Sequence, residues 1–169
     1  MSKPTFICIG TQKGGTNSLN RLLQNTPDVF MKYEEMHFFD KHIDEKITQT
    51  DIDWYENKLK TDKLIVGEKT PSYSYLLYSL NSIQSFYPNI KIIFIIREPI
   101  SRVISQYNME CSRDKNIKNR NEIDELIINN NHTLNQVTCN GKHYIIRGFY
   151  DEIIEHLYSL FPKENICIS

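Results

Sequence analysis

A glycine-containing segment near the N-terminus has residue types that could bind an anion. Residues 10–18 read Gly-Thr-Gln-Lys-Gly-Gly-Thr-Asn-Ser and connect the apolar run 6–9 to a segment of helical periodicity, 16–25. Glycines let a backbone approach an anion closely, and a helix N-terminus offers free N–H groups with a partial positive charge. The charge of Lys13 is joined by small and polar residues that could contact the anion: Gly14, Gly15, Thr16, Asn17 and Ser18. The segment therefore predicts a phosphate-binding loop.

This loop differs from the Walker A motif of nucleoside triphosphate-binding proteins. That motif places Lys and then Ser or Thr directly after its second glycine, whereas Gly15 is followed by Thr16 and Asn17, and Lys13 lies inside the loop. The hydroxyl that would hold magnesium is therefore not where Walker A has it. A glycine-rich turn that merely begins a helix remains an alternative interpretation.

A second candidate anion site follows the most apolar run of the chain, residues 91–96. Arg97 comes directly after this predicted strand, and Ser105 falls about two turns into the helix predicted next. A guanidinium can grip a phosphate in bidentate fashion, and a hydroxyl can add a hydrogen bond. In the alternative interpretation, Arg97 pairs with Glu98 and Arg102 is simply solvated.

Carboxylates, an imidazole and aromatic rings are concentrated in residues 33–40, Tyr-Glu-Glu-Met-His-Phe-Phe-Asp. This segment is either a site that contacts a substrate or an acidic surface turn, and in both cases we expect Phe38 and Phe39 in the core. Residues 68–73, Glu-Lys-Thr-Pro-Ser-Tyr, follow another predicted strand, and Ser72 is predicted to cap the next helix. Further along, Tyr150 is interpreted as core, and Arg147 as either a substrate contact or a structural pair.

Short apolar runs alternate with helical patterns along the chain. Strands are predicted at 6–9, 64–66, 91–96 and 166–168, and helices at 16–25, 73–87, 100–111, 123–128 and from Tyr150 to Phe161. Residues 32–62 are predicted to be irregular, and 113–121 an exposed loop. Runs rather than alternation within the strands favour an α/β fold, a single domain with a P-loop-like parallel sheet and helices on both faces. Such sheets bind ligands beyond the carboxyl ends of their strands.

The composition excludes several classes of protein. With 169 residues and a formal net charge of -1, the chain has no global basic field, so nucleic acid is not an expected partner. It contains no run of 18 apolar residues, so no membrane span is expected. The four cysteines lack metal-ligand spacing, and Cys8 and Cys167 are interpreted as small buried residues. We expect no metal and a cytoplasmic setting, with the Golgi lumen only if the chain is a fragment; the oligomeric state is not predicted.

Taken in order, these segments resemble those of sulfotransferases, most of all the heparan sulfate glucosaminyl 3-O-sulfotransferases. The segment Gln-Lys-Gly-Gly-Thr-Asn-Ser-Leu at 12–19 resembles the family loop for the 5′-phosphosulfate of 3′-phosphoadenosine 5′-phosphosulfate (PAPS). The segment from Arg97 to Ser105 resembles the one for its 3′-phosphate. The resemblance implies PAPS as the co-substrate, held by the loop residues together with Arg97 and Ser105.

The acceptor side of the family pattern is also present. The resemblance implies that Glu35 is the catalytic base and His37 its neighbouring imidazole. It implies roles at the reaction centre for Lys13 and Lys69, and contacts with the acceptor by Glu35, His37, Asp40, Lys69 and Arg147. The implied reaction is direct in-line transfer of a sulfuryl group to a hydroxyl or amine, with a carbohydrate as the expected acceptor.

The resemblance covers nearly the whole chain, so residues 1–169 are interpreted as one sulfotransferase domain whose C-terminal part is missing or reduced. Two other functions remain open. A P-loop nucleotide kinase would require ATP and magnesium. A truncated, non-catalytic nucleotide-binding module would keep the fold without the reaction.

Overall fold

The computed structural model describes residues 2–42, 46–113, 134 and 143–169. Five parallel strands form its sheet: β1 (Phe6–Gly10), β2 (Val29–Met31), β3 (Ile65–Lys69), β4 (Lys91–Phe94) and β5 (Ile166–Ile168). Their order in space is β2-β3-β1-β4-β5. The helices are α1 (Thr16–Gln24), α2 (Gln49–Lys58), α3 (Leu77–Phe86), α4 (Pro99–Arg113) and α5 (Tyr150–Leu160). Short 3-10 turns lie at Pro71–Tyr75, Ile146–Gly148 and Lys163–Asn165.

The sheet is covered on both faces, and β1 at its centre is buried throughout. Ile7 and Ile9 point into the larger core, which also contains apolar residues of α2, α3 and α5. Phe6 and Cys8 point to the opposite face, where α1 packs its partly buried leucines. Alternate residues of one strand thus serve two cores, because successive side chains leave a strand on opposite faces. The predicted α/β architecture is confirmed.

Chain order places the candidate residues at one edge of this sheet. From β1 the chain passes to β2 and β3 on one side, and then crosses to β4 and β5 on the other. The carboxyl ends of all five strands meet at the same edge because the strands are parallel. A crevice forms where such a connection changes direction, and ligands bind there. Here that crevice lies between the segments that follow β1 and β4.

Two elements were missed in the sequence, and one strand is longer than predicted. The stretch predicted to be irregular, 32–62, contains α2, which begins with a capping box between Thr48 and Asp51. The three-residue strand β2 was not predicted at all. β3 does not stop at Gly67 but continues to Lys69, because Gly67 lies beneath the Phe6 ring of the neighbouring strand. This extension places Glu68 and Lys69 within the sheet.

Other differences are local. The helix predicted at 73–87 is divided into the turn Pro71–Tyr75 and α3, and Ser72 does not cap a helix because its hydroxyl donates to Asp40. Phe38 and Phe39 are buried as predicted, whereas the prediction that Cys167 is buried is wrong. The helix predicted at 123–128 lies outside the described residues, as does most of the loop predicted at 113–121. Within the described ranges, no helix is both long and apolar enough to cross a membrane.

The close approach of β1 and β3 gives a stability prediction. A Cβ atom added to Gly67 would lie 2.0 Å from Cζ of Phe6, and Phe6 is its direct partner across the sheet. We expect Gly67→Ala to lower the free energy of unfolding by about 1–3 kcal/mol, the usual cost of overpacking. Urea denaturation measures the change. Phe6→Leu in the same chain should recover part of the loss, since the two positions share one space; strictly additive effects would contradict this packing.

Candidate active site

The loop between β1 and α1 is shaped by two glycines with different tasks. Gly15 precedes α1 with φ at 102°, in the left-handed region that favours glycine. Gly14 has no room for a side chain, since an added Cβ would lie 2.9 Å from Cγ2 of Thr11 and 3.0 Å from the carbonyl oxygen of Ile95. No side chain caps α1 at its N-cap residue. The first turn therefore offers its N–H groups to an anion.

Arg97 reaches across the crevice to this loop. Its Nη1 donates to the carbonyl oxygen of Lys13 at 3.0 Å, and its backbone N–H donates to the hydroxyl of Tyr150 at 3.4 Å. The carboxylate of Glu98 instead accepts from the N–H groups of Ile100 and Ser101, at 2.9 and 2.7 Å. The alternative interpretation, in which Arg97 pairs with Glu98, is therefore wrong. The Glu98 side chain accepts from the first turn of α4, and the guanidinium of Arg97 faces the loop.

The alternative interpretation also has Arg102 solvated, and this prediction is wrong. Its side chain is fully buried, donates to Oε1 of Gln106 at 2.8 Å and also contacts the carbonyl oxygen of Tyr144. Burial lowers the pKa of this guanidinium to about 10. Arg102 therefore ties α4 to the segment before α5. Tyr150 is only partly buried, but it packs against the larger core.

A cavity of about 490 Å³ opens beside the loop. Of the predicted nucleotide contacts, its lining includes Lys13, Gly15, Thr16, Asn17, Arg97 and Ser105. Gly14 and Ser18 are outside this lining; Gly14 is partly buried in the loop, and Ser18 is exposed on α1. The cavity also contains Met109 and Arg113, which sequence reasoning missed. Ser105, Met109 and Arg113 follow one another at intervals of four residues, which puts all three on one face of α4, and this spacing could have identified the two missed residues from the sequence.

Next to this cavity, four charged side chains form a continuous chain of contacts. The amine of Lys69 donates to Oδ1 of Asn17 at 2.9 Å and to Oε1 of Glu35 at 2.7 Å. The other carboxylate oxygen of Glu35 lies 3.2 Å from Nε2 of His37, and Nδ1 of His37 lies 2.7 Å from Oδ2 of Asp40. Residues from β3, α1 and the 33–40 segment thus meet in one array.

These contacts shift two pKa values in opposite directions. Partial burial alone would raise the pKa of Glu35, but the hydrogen bonds from His37 and Lys69 outweigh it and lower the pKa to about 2. The hydrogen bond to Asp40, joined by the one to Glu35, raises the pKa of His37 to about 9. At neutral pH the array therefore contains an ionised Glu35 held between two cations.

A second cavity, of about 330 Å³, lies on the other side of this array. Its lining includes the predicted acceptor contacts Glu35, His37, Asp40 and Arg147, and also Lys41 and Tyr75, which were not predicted. Arg147 is both a structural pair and part of the lining. Its guanidinium lies 4.2 Å from the centre of the Tyr75 ring and donates to Oε1 of Gln12 at 2.5 Å.

The two cavities share the side chains between them. Gln12, Glu35, His37 and Pro71 line both, so a group that enters from one cavity meets a group from the other at Glu35. A carboxylate at such a junction can accept a proton while neighbouring cations stabilise developing negative charge. Two adjoining cavities with shared lining residues have the arrangement that a group transfer between two substrates would need.

A family model described as "Sulfotransferase domain" matches residues 3–168. The chain belongs to the sulfotransferase family. The resemblance drawn from the sequence motifs is confirmed.

Individual relatives agree with the family match. The chain is 33% identical over 178 residues to heparan sulfate glucosamine 3-O-sulfotransferase 5 of Mus musculus, which covers 98% of this chain and 47% of the relative. It is 31% identical over 161 residues to heparan sulfate glucosamine 3-O-sulfotransferase 3B1 of Homo sapiens, with 94% and 39% covered. The chain thus spans less than half the length of these relatives.

A solved sulfotransferase structure shows the same fold. The crystal structure of a sulfotransferase from Alicyclobacillus acidocaldarius superposes with a TM-score of 0.75 at 22% identity, covering 99% of this chain and 73% of that one. At this level of identity the likeness concerns the fold. It agrees with the five-stranded parallel sheet described above.

The charged array can be tested by titration. In an NMR titration we expect His37 to have a pKa of about 9. Asp40→Asn should lower that pKa more than Glu35→Gln does, because Asp40 is the principal partner of His37. A raised pKa means that the contacts with Asp40 and Glu35 stabilise protonated His37. The ion pair between His37 and Glu35 therefore persists from neutral pH up to about 9 and weakens above it. Glu34→Gln is the matched control, because Glu34 pairs with Lys32 instead. A His37 pKa near 6.5 in the wild type would contradict the array.

Proposed function

We propose that this chain transfers a sulfuryl group from PAPS to a hydroxyl or amine of a carbohydrate acceptor, and that residues 1–169 form the sulfotransferase domain that does so. The observation that carries the proposal is the junction of the two cavities at Glu35 and His37. Family membership supports the choice of reaction. The curated relatives, which act on heparan sulfate by their names, support a carbohydrate acceptor.

The larger cavity suits the nucleotide. The N-terminus of α1 and the backbone around Gly14 would hold the 5′-phosphosulfate, and Lys13 would stabilise charge on the leaving phosphate oxygen. Arg97 and Ser105 line the same cavity and would hold the 3′-phosphate. The crossing of Arg97 to the Lys13 carbonyl keeps these two anion sites side by side.

The proposed reaction needs one proton acceptor. As the acceptor oxygen forms its bond to sulfur and the bond from sulfur to the leaving phosphate oxygen breaks, Glu35 takes the proton of the attacking hydroxyl. Glu35 is ionised at neutral pH, and it lines both cavities. His37, held by Asp40, orients the second carboxylate oxygen of Glu35.

In the proposed reaction, cationic side chains would stabilise the negative charge of the transferred group and of the acceptor. Lys69 is buried at the end of β3 with its amine between Asn17 and Glu35, from which it would reach the sulfuryl oxygens. Arg147 and Lys41 line the smaller cavity and would contact an anionic acceptor. Among the described residues, no group of three or more His, Cys, Asp or Glu side chains is placed to hold a metal ion.

Removal of the proposed base should separate catalysis from binding. We expect Glu35→Gln to lower kcat about 10²–10⁴-fold, the usual contribution of a positioned base, because an amide cannot take the proton. The measurement is transfer of ³⁵S from labelled PAPS to heparan sulfate. Calorimetry with adenosine 3′,5′-bisphosphate should show a nucleotide affinity within about threefold of the wild type, which corresponds to a change in binding free energy of at most roughly 0.6 kcal/mol. Glu34→Gln serves as the control, and full activity in Glu35→Gln would refute the assignment.

The 3′-phosphate site can be tested without any acceptor. Loss of a charge-assisted hydrogen bond costs about 1.5–3 kcal/mol, so Arg97→Ala should weaken binding of adenosine 3′,5′-bisphosphate about 10–150-fold. The affinity for AMP, which lacks the 3′-phosphate, should change little. Lys91→Ala removes an exposed cation at the opposite end of β4 and should leave both affinities unchanged. Equal losses for both nucleotides in Arg97→Ala would contradict a 3′-phosphate contact, and a wild-type preference for ATP with magnesium would favour a kinase.

A further inference from the structure

We infer that Thr70 and Glu68 are positioning residues for the catalytic segment: a buried relay from Glu68 through Thr70 fixes the backbone that presents Glu35 and His37. Both side chains are fully buried, neither lines either cavity, and we assign them no contact with the reacting groups. The expected effect on kcat rests on the proposed function, whereas the effect on the position of the segment can be measured separately through the pKa of His37.

The relay begins with a carboxyl group inside the core, and burial raises the pKa of this group to about 7. Glu68 is fully buried at the end of β3. Its Oε1 accepts from the hydroxyl of Tyr55 at 3.2 Å, and its Oε2 accepts from the hydroxyl of Thr70 at 2.7 Å. A hydroxyl has one proton and two lone pairs. Because the Thr70 proton is directed to Glu68, both lone pairs of the Thr70 oxygen remain available to accept hydrogen bonds.

Those lone pairs face the catalytic segment. The Thr70 oxygen accepts from the backbone N–H groups of Met36 at 3.1 Å and His37 at 3.4 Å. Tyr73 continues the arrangement, since its hydroxyl accepts from the N–H groups of Phe38 and Phe39 at 3.0 and 3.4 Å. Two side chains of one turn thus satisfy four successive backbone donors.

The catalytic segment has particular need of such support. Residues 35–38 have no helical or strand structure of their own, and His37 has φ at 47°, a conformation that is unfavourable for a residue with a side chain. Without these acceptors the N–H groups of the segment would be partly buried without partners, which is unfavourable. A shift of about 1 Å in a positioned catalytic group can cost about 10²-fold in rate. The relay therefore bears on kcat through the position of Glu35.

The test compares two substitutions at Thr70. Thr70→Val removes the hydroxyl and keeps the branched shape, whereas Thr70→Ser keeps the hydroxyl and loses a methyl group. We expect Thr70→Val to lower kcat about 10–100-fold, with the KM for PAPS and the affinity for adenosine 3′,5′-bisphosphate within about twofold of wild type. Thr70→Ser should restore most of kcat. Ser74→Ala, which removes another buried hydroxyl of the same turn that donates only to Pro71, should behave as wild type.

A second readout does not depend on activity. The raised pKa of His37 comes from its contacts with Asp40 and Glu35, so an NMR titration reports the position of the segment. Thr70→Val should lower this pKa toward 6.5, and Thr70→Ser should not. If the wild type proves inactive with PAPS and heparan sulfate, the proposed function fails while the titration still tests the relay. An unchanged His37 pKa in folded Thr70→Val would overturn the inference.

The place of Glu68 in the relay is tested by a double-mutant cycle. Glu68→Gln keeps the size of the side chain but can offer only one acceptor oxygen to Thr70 and Tyr55. If Glu68 acts through Thr70, the double variant loses no more kcat than Thr70→Val alone. Multiplied losses would overturn the assignment, as would wild-type kcat in Glu68→Gln. Thermal unfolding establishes that each variant is folded, and Glu68→Gln carries the kcat and His37 measurements if Thr70→Val does not fold.

Discussion

The buried amine of Lys69 is the contact on which the arrangement of the site depends. A cation removed from water must find partners, because an unpaired buried charge is strongly destabilising. Lys69 finds them in Glu35, at 2.7 Å, and Asn17, at 2.9 Å. These three residues belong to β3, to the segment before Phe38, and to the first turn of α1. One charge therefore joins the loop after β1 to the 33–40 segment, and its partner Glu35 lines both cavities.

The sheet makes this contact possible. Lys69 lies within the sheet because β3 runs past Gly67, and β3 can do so because Gly67 leaves space for the ring of Phe6. Parallel pairing of β1 with β3 then brings the carboxyl end of each strand to the same edge. The loop that follows β1 and the residues that follow β3 are neighbours for this reason alone. Packing in the middle of the sheet thus determines which charges meet at its edge.

Much of this arrangement was predictable from the sequence. Apolar runs and the glycine loop indicated the parallel sheet. The residue types after two of the strands indicated two candidate anion sites, and residues of both candidates line one cavity. The short β2 was missed because three residues carry little periodic signal. The helix α2 was missed although Ile52, Tyr55 and Leu59 are buried at helical spacing, because its overall composition is polar. Periodicity outweighs composition in such a segment.

Other features depend on contacts between distant parts of the chain. Nothing local distinguishes Arg102 from a solvated arginine, and its burial requires Gln106 and the carbonyl of Tyr144, 42 positions away. Similarly, the sequence predicts a local role for Ser72 as a helix cap, but its hydroxyl donates a hydrogen bond to Asp40, 32 positions away. Long-range hydrogen bonds of this kind are decided by topology. Residue types identified the candidates, and the fold selected which of them meet.

The same array explains how a carboxylate with a low pKa can act as a base in the proposed reaction. Lys69 and His37 keep Glu35 ionised, but they also reduce its affinity for a proton. Both cations contact Glu35 through separate oxygens, so movement of the Lys69 amine toward the sulfuryl oxygens would free one oxygen while His37 holds the other. The proton affinity of Glu35 would then rise at the stage when the acceptor hydroxyl becomes acidic. Stabilisation of the transferring group and strengthening of the base would then be one motion of one side chain, and the position of the Lys69 amine between Asn17 and Glu35 is the one that such a motion requires.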